Sequence, residues 1–396
     1  MHFSRGVKLN RSVIELALLS AIIGFLAVSS AFAQTNITFV PSLTVSSVYD
    51  DNLFAEQQGS AGQMLQLRPS FEGNWQSPRL TFLSLYSFDM IRSNHSDLNT
   101  FDARRHALVD TKFRRSPFTT LGIAARYDRT ETPGELNIDT GFLSERRTAE
   151  RWQVTPSVMR RFGPRLITTA SYDVIHEHLV DTPSGTLHSA RLGLAREVTP
   201  RTAIGGSYLA RYFSDPADSH TSQSLLLTWD REMSPGTRLS FFAGPRLSSY
   251  SGLSPEVSGT FTRNTRRINM ALNYWHGETI ILGIPGPVAM NGGMARVTWP
   301  VTHRIDVGVH AGVTDITTID EREARIYRST LVGSWTRGMY SVTADYGLDF
   351  QQGDIRRRLD DDVLRHVFRV SLSVAPRLNR SILPPEEAAR VKGVSR

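Results

Sequence analysis

This sequence predicts an all-β fold: a single transmembrane, antiparallel, up-and-down β-barrel of about 18 strands, preceded by a signal peptide. Three observations carry that expectation. Apolar and polar residues alternate with period two through most of residues 37–375; breaks in the alternation are by turns short and long; and aromatic residues gather where the alternating runs end. Beyond residue 33 no stretch approaches the roughly 20 apolar residues that a spanning helix needs. A chain of this kind can enter a membrane only with strands that satisfy one another's backbone groups.

The alternation separates two faces. Leu65, Leu67, Phe71 and Trp75 share one parity, and Gln66, Arg68, Ser70, Glu72 and Asn74 the other. Tyr340, Val342, Ala344, Tyr346 and Leu348 alternate in the same way with Ser341, Thr343, Asp345, Gly347 and Asp349. Successive side chains of a strand point to opposite sides, so each run has one apolar and one wet face.

The short breaks share a chemistry, with Ser77-Pro78, Ser116-Pro117, Gly163-Pro164, Thr199-Pro200, Pro235-Gly236, Asn264-Thr265, Pro300-Val301 and Arg337-Gly338 at their centres. Proline cannot continue a ladder and glycine accepts tight-turn dihedrals, so these read as hairpin turns. The longer breaks, such as 130–146, 315–325 and 351–362, are polar and irregular. Eight turns alternating with nine loops predict an even number of strands, with both termini on one side. A soluble sandwich would need a second sheet or domain to accommodate so many strands of even length.

Aromatic placement agrees with two interfacial girdles. Trp75, Phe113, Phe118, Phe162, Trp299, Trp335 and Tyr340 lie near the short turns, while Tyr127, Tyr172, Tyr212, Tyr250, Tyr274 and Tyr346 fall toward the loops.

The ends divide the chain further. Arg5, Lys8 and Arg11 precede an apolar run at 13–28 and small residues ending Ala31-Phe32-Ala33, the three-part layout of a secretory signal peptide. Residues 1–33 are therefore expected to be the signal, 34–375 the outer-membrane barrel, and 376–396, with Pro384, Pro385 and a basic end, a disordered periplasmic tail. Cysteine is absent, so stability in an oxidising compartment must come from the closed sheet rather than from disulfides. With 45 bases interspersed among 38 acids the chain is not a polybasic nucleic-acid binder.

Two places resist the pattern. Arg105 shares the parity of Phe101, Ala107, Val109 and Phe113 and would face lipid, while Leu83 and Leu85 fall on the wet face. A β-bulge that resets parity, or contact with a plug or partner, would account for either.

The wet parity collects Arg68, Arg104, Lys112, Arg126, Arg151, Arg191, Arg211, Arg246, Arg296, Arg328, Arg365 and Arg369. With them fall Glu72, Asp102, Asp110, Asp128, Asp173, Asp230, Asp306, Asp345 and Asp349. This is a mixed, slightly cationic lining. Such charges either select among solutes or pair with one another and stiffen the wall. A barrel of this strand number is wide enough for an aqueous channel, so its bore depends on loops folded inward, for which 130–146 and 351–362 are the longest polar candidates.

After Val48 the chain reads Tyr49-Asp50-Asp51-Asn52-Leu53-Phe54 and continues in barrel-like alternation. This resembles the outer-membrane β-barrel porin family found beside exopolysaccharide and exosortase gene sets, and the resemblance spans 34–375. It implies a bacterial outer-membrane pore in contact with lipid and lipopolysaccharide, serving export of a surface polysaccharide or other anionic polymer together with periplasmic export components. It supplies no catalytic residue. From the residues alone, Asp50 and Asp51 fit an Asx-type turn better than a divalent-cation site.

A general solute-diffusion porin is the nearest alternative, and an outer-membrane enzyme acting on lipid or polymer is the alternative of another class. The best catalytic or metal candidate is Asp173, His176, Glu177, His178 and Asp181, where two histidines at i and i+2 share a strand face. No second cluster completes a ligand shell, Asp306 and His310 stand as a lone pair, and phosphate-loop and serine-elbow motifs are missing. The expectation is a chain that is not an enzyme, with no metal and no cofactor.

Overall fold

Eighteen antiparallel strands close into a ring in the computed structural model, which describes residues 36–56, 59–137, 140–182, 184–216, 218–353, 362–376 and 378–381. The first nine are β1 (Asn36–Asp50), β2 (Gly62–Gln76), β3 (Leu80–Ser93), β4 (Thr100–Ser116), β5 (Thr119–Thr130), β6 (Ala149–Phe162), β7 (Leu166–Leu179), β8 (Gly185–Thr199) and β9 (Thr202–Ser214). The second nine are β10 (Ser219–Ser234), β11 (Thr237–Ser248), β12 (Gly252–Asn264), β13 (Asn269–Thr279), β14 (Val288–Pro300), β15 (Ile305–Thr317), β16 (Glu323–Arg337), β17 (Tyr340–Gln352) and β18 (Val363–Val374). Each strand pairs with its sequence neighbours, and β1 pairs with β18 from Leu43↔Val374 to Asp50↔Val367. Closure leaves no edge within the ring.

The turns form where the sequence places them. Ser77 accepts the Leu80 amide at 3.0 Å, Thr265 accepts the Ile268 amide at 3.0 Å, and Gly236 takes a φ of 78° that an L side chain would resist. The opposite end carries the loops, including helical turns at Ser96–Leu98 and Pro133–Glu135. Strand lengths run from 11 residues in β13 to 17 in β4. A tilted strand needs only about 9 to 11 residues to cross a bilayer, so the longer strands carry the wall past the lipid.

The outer face is apolar and uncovered: Leu225, Leu227, Leu247, Leu331 and Leu372 are exposed, while their strand neighbours Ser222, Ser224, Arg246 and Ser248 are buried toward the interior. Only lipid solvates such a wall at low cost. Tyr172 and Tyr346 face outward near the loop end, each bonded through its hydroxyl to a histidine on the next strand, His188 at 2.8 Å and His366 at 2.7 Å. Tyr250 departs from the expected girdle. It sits in the β11–β12 connection and donates to the Thr318 carbonyl at 2.8 Å, and burial there pushes its phenol pKa up.

A bulge does occur in β4, between the pairings of Arg104 with Asp89 and of Thr100 with Ile91 of β3, but it does not turn Arg105 inward. It brings Asp102 to the outer face, contrary to the expectation that placed Asp102 among the interior acids. There Asp102 receives two hydrogen bonds from Arg105, at 2.6 and 2.7 Å, and one from Arg129 at 2.8 Å. The guanidinium is thus neutralised on the wall, two residues loopward of the level of Tyr86 and Tyr127. Leu83 and Leu85 do face inward, beside Leu108 of β4.

Past Ala375 the chain is not unstructured throughout. Leu378–Ser381 form a short strand, β19, that pairs with Asn36 to Phe39 at the foot of β1. That corrects the expected tail boundary for these four residues. The expected signal at 1–33 and residues 382–396 of the expected tail lie outside the described residues.

Candidate channel interior

Parity and pairing together place the interior side chains. Arg68, Arg104, Arg126, Arg151, Arg191, Arg211, Arg246, Arg296, Arg328, Arg365 and Arg369 all lie on the inner face, as do Asp128, Asp306 and Asp345. Most of the arginines are committed to carboxylates. Arg68 grips Asp89 at 2.5 and 2.7 Å, Arg126 and His106 both hold Asp128, and Arg151 lies 3.2 Å from Glu177. Arg211 and Ser224 donate to Glu256, Arg246 lies 3.5 Å from Glu278, and Arg328 bonds Asp349 at 3.1 Å. Among the described residues Arg191, Arg296 and Arg369 make no ion pair with a carboxylate; Arg296 instead stands opposite His310, and Arg369 opposite Asp345. Asp306 is exposed near the turn end.

The Tyr49 to Phe54 segment is a clasp at the seam. Tyr49 faces outward, and Asp50 faces inward and pairs with Arg365 at 2.6 Å while accepting the Asn52 amide at 3.1 Å, the Asx geometry expected of it. Asp51 accepts the His366 amide at 2.6 Å. The Asn52 side chain donates to the Glu56 carbonyl at 2.6 Å and to the Leu364 carbonyl at 2.9 Å. Leu53 and Phe54 then pack with Val48, Met64, Leu98, Ile91 and Val367.

Two loops fold into the bore. Residues 131–137 and 140–148, between β5 and β6, form a strap that reaches β14 to β17 on the far wall, where Phe142 is fully buried among Ile281, Val288, Ile316, Ala324 and Ile326. The Leu143 amide donates to Gln351 at 2.8 Å, and Arg328 donates to the Gly141 carbonyl at 3.2 Å. Gly141 has a φ of 69°, a conformation that favours glycine, and its α-carbon lies against that guanidinium. Residues 280–287, between β13 and β14, meet the strap directly: the Leu282 amide donates to Asn137 Oδ1 at 3.1 Å, and Leu282 packs against Leu136. Buried backbone groups of an inward loop need partners, and Asn137, Gln351, Arg328 and Arg151 supply them.

Of the two loops singled out from sequence, 130–146 contains most of this strap. Of the second, 351–362, the inward part in view is Gln351, and 354–361 lie outside the described residues. Sequence reading missed Glu135, Glu177, Glu256 and Glu278. Glu177 was visible only as part of the His176 cluster. That cluster is split by the wall: Asp173 and Glu177 face inward, to Gln153 and Arg151, whereas His176 and His178 face outward, against Trp152 and opposite Glu150.

A closed antiparallel ring with an uncovered apolar exterior, a charged interior and loops folded into its bore defines a transmembrane β-barrel protein. No family model and no curated protein matches the chain. Similar solved structures include OpdK of Pseudomonas aeruginosa with vanillate, at 12% identity and a TM-score of 0.47, covering 86% of this chain and 99% of that one. OpdQ of the same organism is 9% identical with a TM-score of 0.46 over 87% and 99% of the two chains. The siderophore receptor PirA of Pseudomonas aeruginosa is 11% identical with a TM-score of 0.40 over 85% and 80%. These are similarities of barrel architecture alone.

Proposed function

We propose that this chain is an outer-membrane channel whose conducting path is narrowed by the strap between β5 and β6 where its Asn137 meets the 280–287 loop. The observation that carries the reading is the contact of Asn137 with Leu282, which joins two loops inside a ring otherwise wide enough for water. Arginines and carboxylates line the wall, mostly in pairs, and Arg191, Arg296 and Arg369, the inner-face arginines without a carboxylate ion pair among the described residues, offer local positions for anionic solutes. A strapped bore suits small solutes. Export of an anionic polysaccharide, the reading favoured by the Tyr49 to Phe54 segment, requires the strap to withdraw from the far wall.

The absence of native cysteine makes a direct test simple. Asn137→Cys with Leu282→Cys is reconstituted in planar bilayers and conductance is recorded before and after reduction. The channel reading expects the oxidised pair to hold conductance low and reduction to raise it; conductance blind to the cross-link means that the path avoids the strap. Block of the reduced channel by an acidic oligosaccharide supports polymer export. Hydrolysis of lipid or polymer without conductance moves the protein to the enzyme class.

A further inference from the structure

The outer wall changes character around its turn-side end. Barrel strands tilt, so a line of constant height advances along the chain by roughly one residue for each strand it crosses. Followed by register from Trp75 on β2, such a line meets Phe113 on β4 and then Arg160 on β6. Arg160 stands opposite Thr168 and Thr168 opposite Leu194, which brings the line to Arg196 on β8. The same step through Ile204 and Trp229 reaches Arg231 on β10, and through Leu239 and Phe261 it reaches Arg263 on β12. The line returns to aromatic rings at Trp299 on β14 and Trp335 on β16. Four successive even-numbered strands thus present arginine at the height where β2, β4, β14 and β16 present a ring.

All four arginines are exposed on the outward parity, and among the described residues none of them makes an ion pair with a carboxylate. The acids of that end, Glu197, Asp230 and Glu232, lie on the inner parity, where Glu197 is 3.6 Å from Arg161 and Asp230 is 2.8 Å from Arg238. Apolar side chains surround the arginines on the wall: Phe162, Val198 and Met233 toward the turns, Leu194 and Leu227 toward the loops. The Arg160 guanidinium lies over the Phe162 ring, 4.7 Å from its centre, as when an apolar stem follows the wall and the charged head reaches for the interface. We propose that this arc from β6 to β12 binds anionic phospholipid of the leaflet next to the short turns, with the phosphodiester held by the arginines and the acyl chains laid on the leucines. Guanidinium groups take phosphate oxygens by paired, charge-assisted bonds, and an occupant of this arc must join an anion to an apolar body. A second copy in the same orientation does not supply the anion, because the outward carboxylates of the described strands, such as Asp102, Glu150 and Asp315, stand toward the loops. The inference depends on the facing of the wall and not on the channel reading.

The chain has no native cysteine, so a bimane label can be placed at Leu194→Cys, two residues loopward of Arg196, or at Val297→Cys, two residues loopward of Trp299. Each labelled full-length barrel is reconstituted in phosphatidylcholine vesicles and quenched with phosphatidylglycerol or phosphatidylcholine carrying brominated acyl chains. Quenching at 194 is expected to favour phosphatidylglycerol by about fivefold, the factor that about 1 kcal/mol gives for a basic group at an anionic surface, and quenching at 297 to favour neither lipid. Glutamine at Arg160, Arg196, Arg231 and Arg263 together should abolish the preference at 194. Lysine at the same four positions should keep part of it, since the charge remains and the paired bonds do not. Equal quenching by the two lipids at 194 overturns the proposal and leaves the arc to an acidic protein partner. An equal preference at 194 and 297 overturns it by making the effect a property of the whole wall, as does a preference that survives in the assembled glutamine variant. The comparison of 194 with 297 uses the native arginines, so it decides the matter even where the glutamine variant does not assemble.

Discussion

The carboxylate of Asp50 lies 2.6 Å from the guanidinium of Arg365, which joins the end of the first strand to the last strand of the ring. Asp50 is fully buried and Arg365 nearly so. Barrel closure is the step that satisfies the free edges of β1 and β18, and this pair sits at its loopward end. Asp50→Ala should cost about 3 kcal/mol, because it strands a buried charge. Urea titration of the folded barrel, read by heat-modifiable mobility, checks it; a loss within error of zero means that the seam holds without the pair.

Leu331 faces lipid near the middle of β16, and its neighbour Thr330 faces inward opposite His310. Leu331→Arg should cost about 2 to 4 kcal/mol at that depth, while Thr330→Arg should assemble normally. The same contrast holds more weakly for Val342→Asp against Ser341→Asp, nearer the turn end. Folding yield in vesicles is the measurement, and equal yields for Leu331→Arg and Thr330→Arg refute the facing.

Phe142 is the apolar anchor of the strap. Truncation to alanine removes a fully buried ring, worth about 3 to 5 kcal/mol in a packed core. Here the loss should fall on the strap and not on the ring of strands. Phe142→Ala is expected to keep the wild-type urea midpoint of the barrel and to raise conductance; a lowered midpoint at unchanged conductance would assign Phe142 to the wall instead.

Asp102 serves two outward arginines, so its removal differs from theirs. Arg105→Ala leaves Asp102 paired with Arg129 and should cost under about 1 kcal/mol, as partly exposed pairs do. Asp102→Ala takes the shared carboxylate from both Arg105 and Arg129 on the lipid-facing wall, leaving Arg129 with Glu150 at 3.6 Å, and should cost more. Ranking the two urea midpoints decides it.

The wall was legible because its information is local. Leu65 to Trp75 and Tyr340 to Asp349 announce their facing by parity, and Ser77-Pro78 or Pro235-Gly236 announce a turn within a few residues. Parity also gathered eleven arginines on one face. It failed at Asp102, because a bulge is a register event between two strands and leaves no mark in the alternation of one. It failed at Tyr250 because a residue in a short connection has no parity to read.

Period-two patterning and turn chemistry were enough to specify a closed antiparallel wall, since both act between near neighbours along the chain and hydrogen bonding to the next strand does the rest. How that wall is filled depends on Asn137 meeting Leu282, Leu143 meeting Gln351 and Glu135 meeting Arg104. These partners lie far apart in sequence, or, like Glu135, in an irregular loop. Only ring closure brings them within bonding distance, because a loop has no periodicity and its course is set by whichever buried donors, acceptors and apolar hollows the finished barrel presents to it.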